Sequence, residues 1–305
     1  MSQEHDFLLE CQNLTLKRQG FTLRDIQFEL PPGYILGIVG RNGVGKSTLA
    51  YALLGECRGE EQNRVVLKGK AMGADIAAYK RGVAYVLNET PFPEKINALD
   101  CARLYAHYYE EFDRSKYRSL LKEFQVSEKI PIKKLSTGQK IRQQLAFALS
   151  YPASLYIFDE PTGNLDPRFR EQFWERTRGL IRAGDCSVVY ISHLVEELER
   201  MADYILWIGA GKREEQEKEG VQKYFGAAEE LMGQFRLIQA SRDEAWELPE
   251  EAVAGIRDRE NAKELLARIS EENLPEQLKK VSRRPTLKEI IYYVETGDFT
   301  NLDGE

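Results

Sequence analysis

The stretch Gly40-Arg41-Asn42-Gly43-Val44-Gly45-Lys46-Ser47-Thr48 decides how this chain is read. Ahead of it runs Tyr34-Ile35-Leu36-Gly37-Ile38-Val39, rich in β-branched residues, and behind it Leu49-Ala50-Tyr51-Ala52-Leu53-Leu54 carries apolar residues at helical spacing. Strand, glycine-rich turn and helix in that order are the setting of a phosphate-binding loop. A polyphosphate is gripped by main-chain N–H groups that approach it closely, so Gly40, Gly43 and Gly45 keep the approach free of side chains, with Asn42 and Thr48 at its flanks. Lys46 is placed to reach the β- and γ-phosphates, and the helix N-terminus adds partial positive charge. The Ser47 hydroxyl is placed to ligate Mg²⁺. The loop therefore predicts a nucleotide-binding site with Mg²⁺.

Working outward, Phe7 to Leu16 and Thr22 to Leu30 alternate apolar and polar residues around Gln19-Gly20, the pattern of a β-hairpin. Further strands are expected at Arg64 to Leu67 and Val83 to Leu87. From about residue 88 to 153 apolar residues recur every three or four positions (Leu99, Ala102; Tyr117, Leu120, Leu121, Phe124), which predicts a helical insertion. Continuous apolar strands return at Leu155 to Phe158, Ser187 to Ile191 and Tyr204 to Ile208, alternating with helical segments from Pro167 and Leu194. Such alternation implies an α/β fold with a mixed, mostly parallel sheet covered on both faces. After Gly211 the run Lys212 to Gly220 reads as a charged linker. Phe235 to Gln239 then reads as a strand, and Asn261 to Ile269 and Leu287 to Val294 read as helices, a small α+β unit. The expected division is residues 1–211 and 212–305.

Composition narrows the function classes. With 305 residues and 42% apolar content the chain can bury a substantial core. No apolar run approaches the roughly 20 residues that span a bilayer, and the polar start at Met1 to Asp6 is unlike a signal peptide, so a soluble cytoplasmic protein is expected. Cys11, Cys57, Cys101 and Cys186 are scattered without the paired spacing of a zinc site or disulfide framework. Of the net charge of −6, the part from Lys212 onward, with 15 basic and 22 acidic residues, holds the acidic excess. No basic stripe marks a nucleic-acid partner.

Leu155-Tyr156-Ile157-Phe158-Asp159-Glu160 is the second nucleotide element: a strand that ends in a carboxylate can hold Mg²⁺ through water beside the phosphate loop. Glu160 next to it is positioned to polarise an attacking water. With these come Leu135-Ser136-Thr137-Gly138-Gln139, then Gly163-Asn164-Leu165-Asp166, then His193 after the next strand. In this order, from about Phe7 to Gly211, the chain resembles the ATPase subunit of an ABC transporter. The resemblance implies a P-loop NTPase core with an antiparallel β-subdomain and an inserted helical subdomain. It further implies a head-to-tail dimer, homodimeric or with a paralogous subunit, enclosing two ATP. Ser136, Gly138, Gln139 and the helix behind them would bind the γ-phosphate of the partner's ATP, and Asp166 would link the two sites. Lys46, Glu160 and His193 would be catalytic, with Ser47 and Asp159 on the metal. A transmembrane permease is the implied partner, with the chain peripheral on the inner face of the cell membrane.

The sequence departs from that family's pattern in three places. Asn88 stands where Gln is usual at a position that touches the metal or the water and senses the permease. Thr137 replaces the first glycine of the signature segment. The adenine-stacking aromatic is displaced, leaving Phe21 as its substitute. Asn88 and Thr137 motivate the alternative of a low-turnover regulatory subunit in a heterodimer. After Gly211, Arg284-Pro285-Thr286-Leu287-Lys288-Glu289-Ile290-Ile291 resembles the C-terminal extension of bacterial ATPases that export antimicrobial peptides and amphipathic compounds. Export of a peptide or amphipathic compound is what that likeness implies, with Pro91 and Phe92 as candidate permease contacts.

Overall fold

A computed structural model describes residues 6–57, 64–182, 184–211, 218–240, 248–258 and 263–296. In chain order its first part comprises β1 (Leu9–Arg18), β2 (Phe21–Leu30), β3 (Ile35–Val39), α1 (Lys46–Leu53), β4 (Arg64–Leu67), β5 (Lys70–Ala71), α2 (Ile76–Arg81) and β6 (Val83–Val86). Helices α3 (Ala98–Tyr105), α4 (Arg114–Glu123) and α5 (Thr137–Ala148) follow before β7 (Leu155–Asp159). Then come α6 (Pro167–Arg182), β8 (Ser187–Ile191), α7 (Val195–Met201), β9 (Tyr204–Ala210), β10 (Lys218–Ala227) and α8 (Ala228–Gly233). The last part holds β11 (Phe235–Ala240), β12 (Val253–Asp258), β13 (Lys263–Arg268), α9 (Glu276–Lys279), β14 (Ser282–Arg283) and α10 (Leu287–Thr296).

A ten-stranded sheet runs in the order β5-β4-β1-β2-β10-β9-β3-β8-β7-β6. The block β9-β3-β8-β7-β6 is parallel throughout, and β3, β7 and β8 are buried at every position, as strands covered on both faces must be. β1 and β2 form the predicted antiparallel hairpin, with Gly20 at φ 73° in its turn, and β4 and β5 extend it. One apolar core lies between this hairpin, α1 and one sheet face; the other face packs on the helical insertion. No helix among the described residues is long and apolar enough to cross a membrane.

Two expectations for the C-terminal third are corrected. A boundary at Gly211 would cut a sheet in two, because β10 pairs antiparallel with β9 and parallel with β2. Lys212 to Glu217 of the charged run lie outside the described residues, and Lys218 already belongs to β10. The second correction is Asn261 to Ile269, expected as helix: Lys263–Arg268 is strand β13, and Asn261 and Ala262 lie outside the described residues. β13 is one of the two inner strands of the four-stranded sheet β12-β13-β11-β14 and buries Leu265, Leu266 and Ala267 in succession. A short unbroken apolar run fits helix and buried strand equally, and sheet pairing decides. That second sheet is no separate globule. Phe235, Leu237, Leu266, Leu287 and Ile290 share one buried cluster with Leu198 of α7 and Trp207 of β9.

Candidate functional site

The parallel strands end together. Ile38 lies level with Ile191, and Ile191 level with Asp159, so the phosphate loop, Asp159-Glu160 and Ser192-His193 all leave the same C-terminal sheet edge. Ligands of open α/β sheets bind at that edge.

Each glycine of the loop answers a different demand. Gly40 has φ 146°, and a Cβ there would lie 2.0 Å from the Ile208 carbonyl of β9. Gly45 caps α1 at φ 103°, where a Cβ would meet Phe21 Cζ at 2.7 Å. Gly43, at φ 85°, faces open space and is needed for its backbone conformation alone. No side chain caps α1. Lys46 is only 7% exposed, and its Nζ donates to the carbonyls of Gly40 (2.7 Å) and Arg41 (3.0 Å). Burial pushes its pKa down, and the charges of Glu160, Asp159 and Glu295 oppose that shift. Asn42 and Ser47 are exposed and Thr48 half-buried beside this cradle. Phe21, the first residue of β2, holds its ring against Gly45.

Asp159 is buried, which pushes its carboxyl pKa up against the hydrogen bond from the Ser47 hydroxyl. Its Oδ1 has no hydrogen-bond partner among the described residues. A buried carboxylate oxygen without a partner, next to a hydroxyl, is a donor set suited to Mg²⁺, a hard cation that keeps most of its waters and takes one or two protein oxygens. Asn88 is exposed two residues beyond β6; since Val86 lies level with Phe158, it stands at the same edge just past Asp159. Glu160 occupies the left-handed region at φ 53°, rare for a side-chain-bearing residue. Its N–H donates to the Ile191 carbonyl at 2.9 Å, and its Oε2 lies 2.5 Å from His193 Nδ1, a hydrogen bond when Nδ1 carries the proton.

The signature residues gather elsewhere. Ser136 caps α5 in a capping box: its Oγ accepts from the Gln139 N–H (3.2 Å), and the Gln139 side chain accepts from the Ser136 N–H (3.1 Å). A Cβ on Gly138 would sit 2.8 Å from the Asn164 carbonyl, so α5 and the segment before α6 are in close contact. Asp166 accepts from the Phe169 N–H (3.0 Å) and pairs with Arg142 of α5, both of which hold its carboxyl below the usual range. Among the described residues no hydrogen bond or ion pair joins Ser136, Gly138, Gln139 or Asp166 to the phosphate loop of the same chain.

Several residues escaped the sequence reading. Buried Gln144 grips the end of β6 through both amide atoms, donating to the Leu87 carbonyl (3.0 Å) and accepting from its N–H (2.9 Å), and so aims Asn88. Arg142 also donates to the Phe124 carbonyl (3.2 Å) and lies over the Phe169 ring at 4.3 Å. The available signal was a polar Gln143-Gln144 pair in line with the apolar face of α5. Phe92 is corrected as a permease contact: it is buried, 5.0 Å from Phe147 and 5.7 Å from Tyr105 by ring centroid, while Pro91 is exposed.

A family model described as "ABC transporter" matches residues 23–163. A "Probable metal transport system ATP-binding protein" of Thermotoga maritima is 31% identical over 189 residues, a match spanning 61% of this chain and 75% of that protein. The chain belongs to the ABC transporter family. The "Nod factor export ATP-binding protein I" of Rhizobium etli is 29% identical over 192 residues; that match covers 61% of this chain and 60% of the Rhizobium protein's own length. The solved "ATP binding subunit of ABC transporter" superposes with a TM-score of 0.64 at 23% identity, covering 73% of this chain and 91% of that one. An ATP-binding cassette solved in its ADP conformation gives 0.56 at 19% identity over 73% of this chain and 92% of that one, a likeness of fold. The α/β core, with its parallel block and antiparallel β-subdomain, is the ABC ATP-binding fold.

Proposed function

We propose that this chain binds and hydrolyses ATP as the motor subunit of an ABC transporter, working as a head-to-tail pair around two nucleotides. The observation that carries the reading is the Glu160–His193 contact at the sheet edge shared with Lys46 and Asp159. Lys46 and the amides of the glycine loop grip the β- and γ-phosphates, and the N-terminus of α1 adds its dipole. Ser47 and Asp159 would hold Mg²⁺, with Asn88 next to them; the ion would neutralise charge on the phosphoryl oxygens. Glu160 takes the proton of the attacking water, and His193 keeps Glu160 and that water in line. Ser136, Gly138 and the start of α5 meet the γ-phosphate from the second subunit, and Asp166 lies at the same face. ATP thus joins the subunits and hydrolysis parts them.

A permease is the proposed partner. An open cleft of about 690 Å³, walled by Tyr51, Tyr85, Pro91, Tyr105 and Tyr109, lies between α1 and the helical insertion and gives it a docking place next to Asn88. Residues 1–233, which end with α8, would form the ATPase unit and the second sheet with α10 an accessory unit; export of a peptide or amphipathic compound is the proposed task. The test is ATP turnover and dimerisation of the purified chain against Glu160→Gln. The expected result is hydrolysis by a transient wild-type dimer and accumulation of an ATP-bound Glu160→Gln dimer. A variant that turns over at the wild-type rate would overturn the role of Glu160.

A further inference from the structure

Thr162 stands two residues past Glu160, and Glu197 four past His193. Glu197, on α7, is 4% exposed, a rare position for a carboxylate. Its Oε2 accepts from Thr162 Oγ1 at 2.6 Å and from the Tyr190 hydroxyl at 2.7 Å, and those two hydroxyls are 3.2 Å apart. Both donors are fully buried. Arg170 of α6 faces the other carboxylate oxygen at 3.5 Å and reaches the Thr162 carbonyl at 3.5 Å. One side chain therefore joins the loop behind Glu160, the strand that leads into His193, the helix that leaves His193, and α6.

Burying such a group costs more than filling the space with an apolar side chain of similar volume. What the network does that leucine would not is visible in its neighbours. Glu160 sits at a strained φ of 53° just past the end of β7, and His193 sits in the short link between β8 and α7, so neither residue lies within a regular element. Gly163 brings the same loop to the imidazole, where a Cβ would lie 3.7 Å from His193 Cε1. We propose that Glu197 is a positioning residue: by tying residues 160–163 to residues 193–197 it holds Glu160 and His193 in register for the attacking water. The proposal rests on the ATPase reading above and adds to it a residue that touches neither nucleotide nor water.

Wild type, Glu160→Gln, Glu197→Gln, Thr162→Val and the double variant Thr162→Val/Glu197→Gln are compared in steady-state ATP hydrolysis. Both single changes are close to isosteric and leave the phosphate loop untouched. Glu197→Gln and Thr162→Val should each lower kcat about tenfold with KM for ATP within about twofold, and the double variant should be no slower than the worse single. The ring signals of His193 in histidine-labelled protein should shift or broaden in Glu197→Gln while those of His107 stay in place. Unchanged kcat and unchanged His193 signals overturn the proposal, as do losses that multiply in the double variant. A wild type without turnover overturns the ATPase reading alone, and the His193 signals still decide the positioning role.

Discussion

The two helix N-termini proposed above to meet phosphate are built in opposite ways. α1 begins at Gly45 with no side-chain cap, behind a loop whose three glycines all have positive φ. α5 begins at Ser136 with its first turn closed by a capping box. α10 is closed in the same manner: the Glu289 N–H donates to Thr286 Oγ1 (3.2 Å), and the Glu289 carboxylate accepts from the Thr286 N–H (2.9 Å). The difference teaches what each end can give a ligand. An uncapped end offers main-chain N–H groups, whose burial without a partner is costly, so in the proposed reading α1 would be completed by an anion. A capped end has spent an amide on Ser136 Oγ. That bond uses the oxygen as acceptor and leaves the hydroxyl proton to donate outward, so in the proposed reading α5 would meet phosphate through a side chain.

Replacing Gly40 breaks the uncapped end most severely. In Gly40→Ala the new Cβ collides with the Ile208 backbone, and ATP affinity should fall by about 100-fold or more in a nucleotide titration, a loss comparable to removing a strong phosphate contact. Gly138→Ala probes the capped end, where the obstacle is the Asn164 carbonyl at 2.8 Å. It should cost about 1–3 kcal/mol in chemical denaturation and separate α5 from the Asp166 segment, yet leave ATP affinity of the single subunit unchanged. Ser136→Ala removes the cap itself and should cost about 1 kcal/mol of stability, again with unchanged affinity in the monomer. A drop in monomer affinity for either variant would abolish the distinction between the two ends. Phe21→Ala, beside Gly45, should weaken ATP binding by about 1 kcal/mol, roughly fivefold, with little effect on melting.

The smallest effect concerns α10 and depends on pH. Arg283, whose hydrogen bond is the first cause, together with the Thr286 N–H, lowers the Glu289 pKa to about 2 from an ordinary 4.5. A carboxylate depressed in the folded state adds stability above its unfolded pKa and loses it as pH falls through the folded one. The melting temperature of wild type should therefore exceed that of Glu289→Gln by a constant margin above about pH 4.5, and the margin should shrink toward pH 2. A margin independent of pH would mean that the cap works without its charge.

Much of the site was legible because its demands are local. A phosphate loop needs glycine where a Cβ has no room, and a carboxylate at a strand end needs only that strand to reach the sheet edge; both conditions are written within ten residues. Glu197, Gln144 and Arg142 were not legible. Their partners lie 35, 57 and 24 residues away, at Thr162, Leu87 and Asp166; the place of Gln143-Gln144 in line with the apolar face of α5 hinted at burial, but nothing local named a partner for any of the three. The strand at Lys263–Arg268 was misread for a related reason: Leu265-Leu266-Ala267 takes its identity from pairing on both sides, with β12 just before it and with β11 more than twenty residues back along the chain.

By itself the sequence determined the order of strand, loop and helix, the glycines that the loop's backbone requires, and the family. These follow from backbone sterics and from hydrophobic period, which act over a few residues. Only the tertiary structure decided that β10 completes the large sheet, that the C-terminal unit shares its core, and that α10 is fastened to α7 by Lys288–Glu196 and by Glu199 at the Leu287 N–H. It also decided that one buried carboxylate stands behind both Glu160 and His193. Such arrangements depend on which distant surfaces exclude water together, and the burial of a polar group is settled only once every neighbour that could satisfy it is in place.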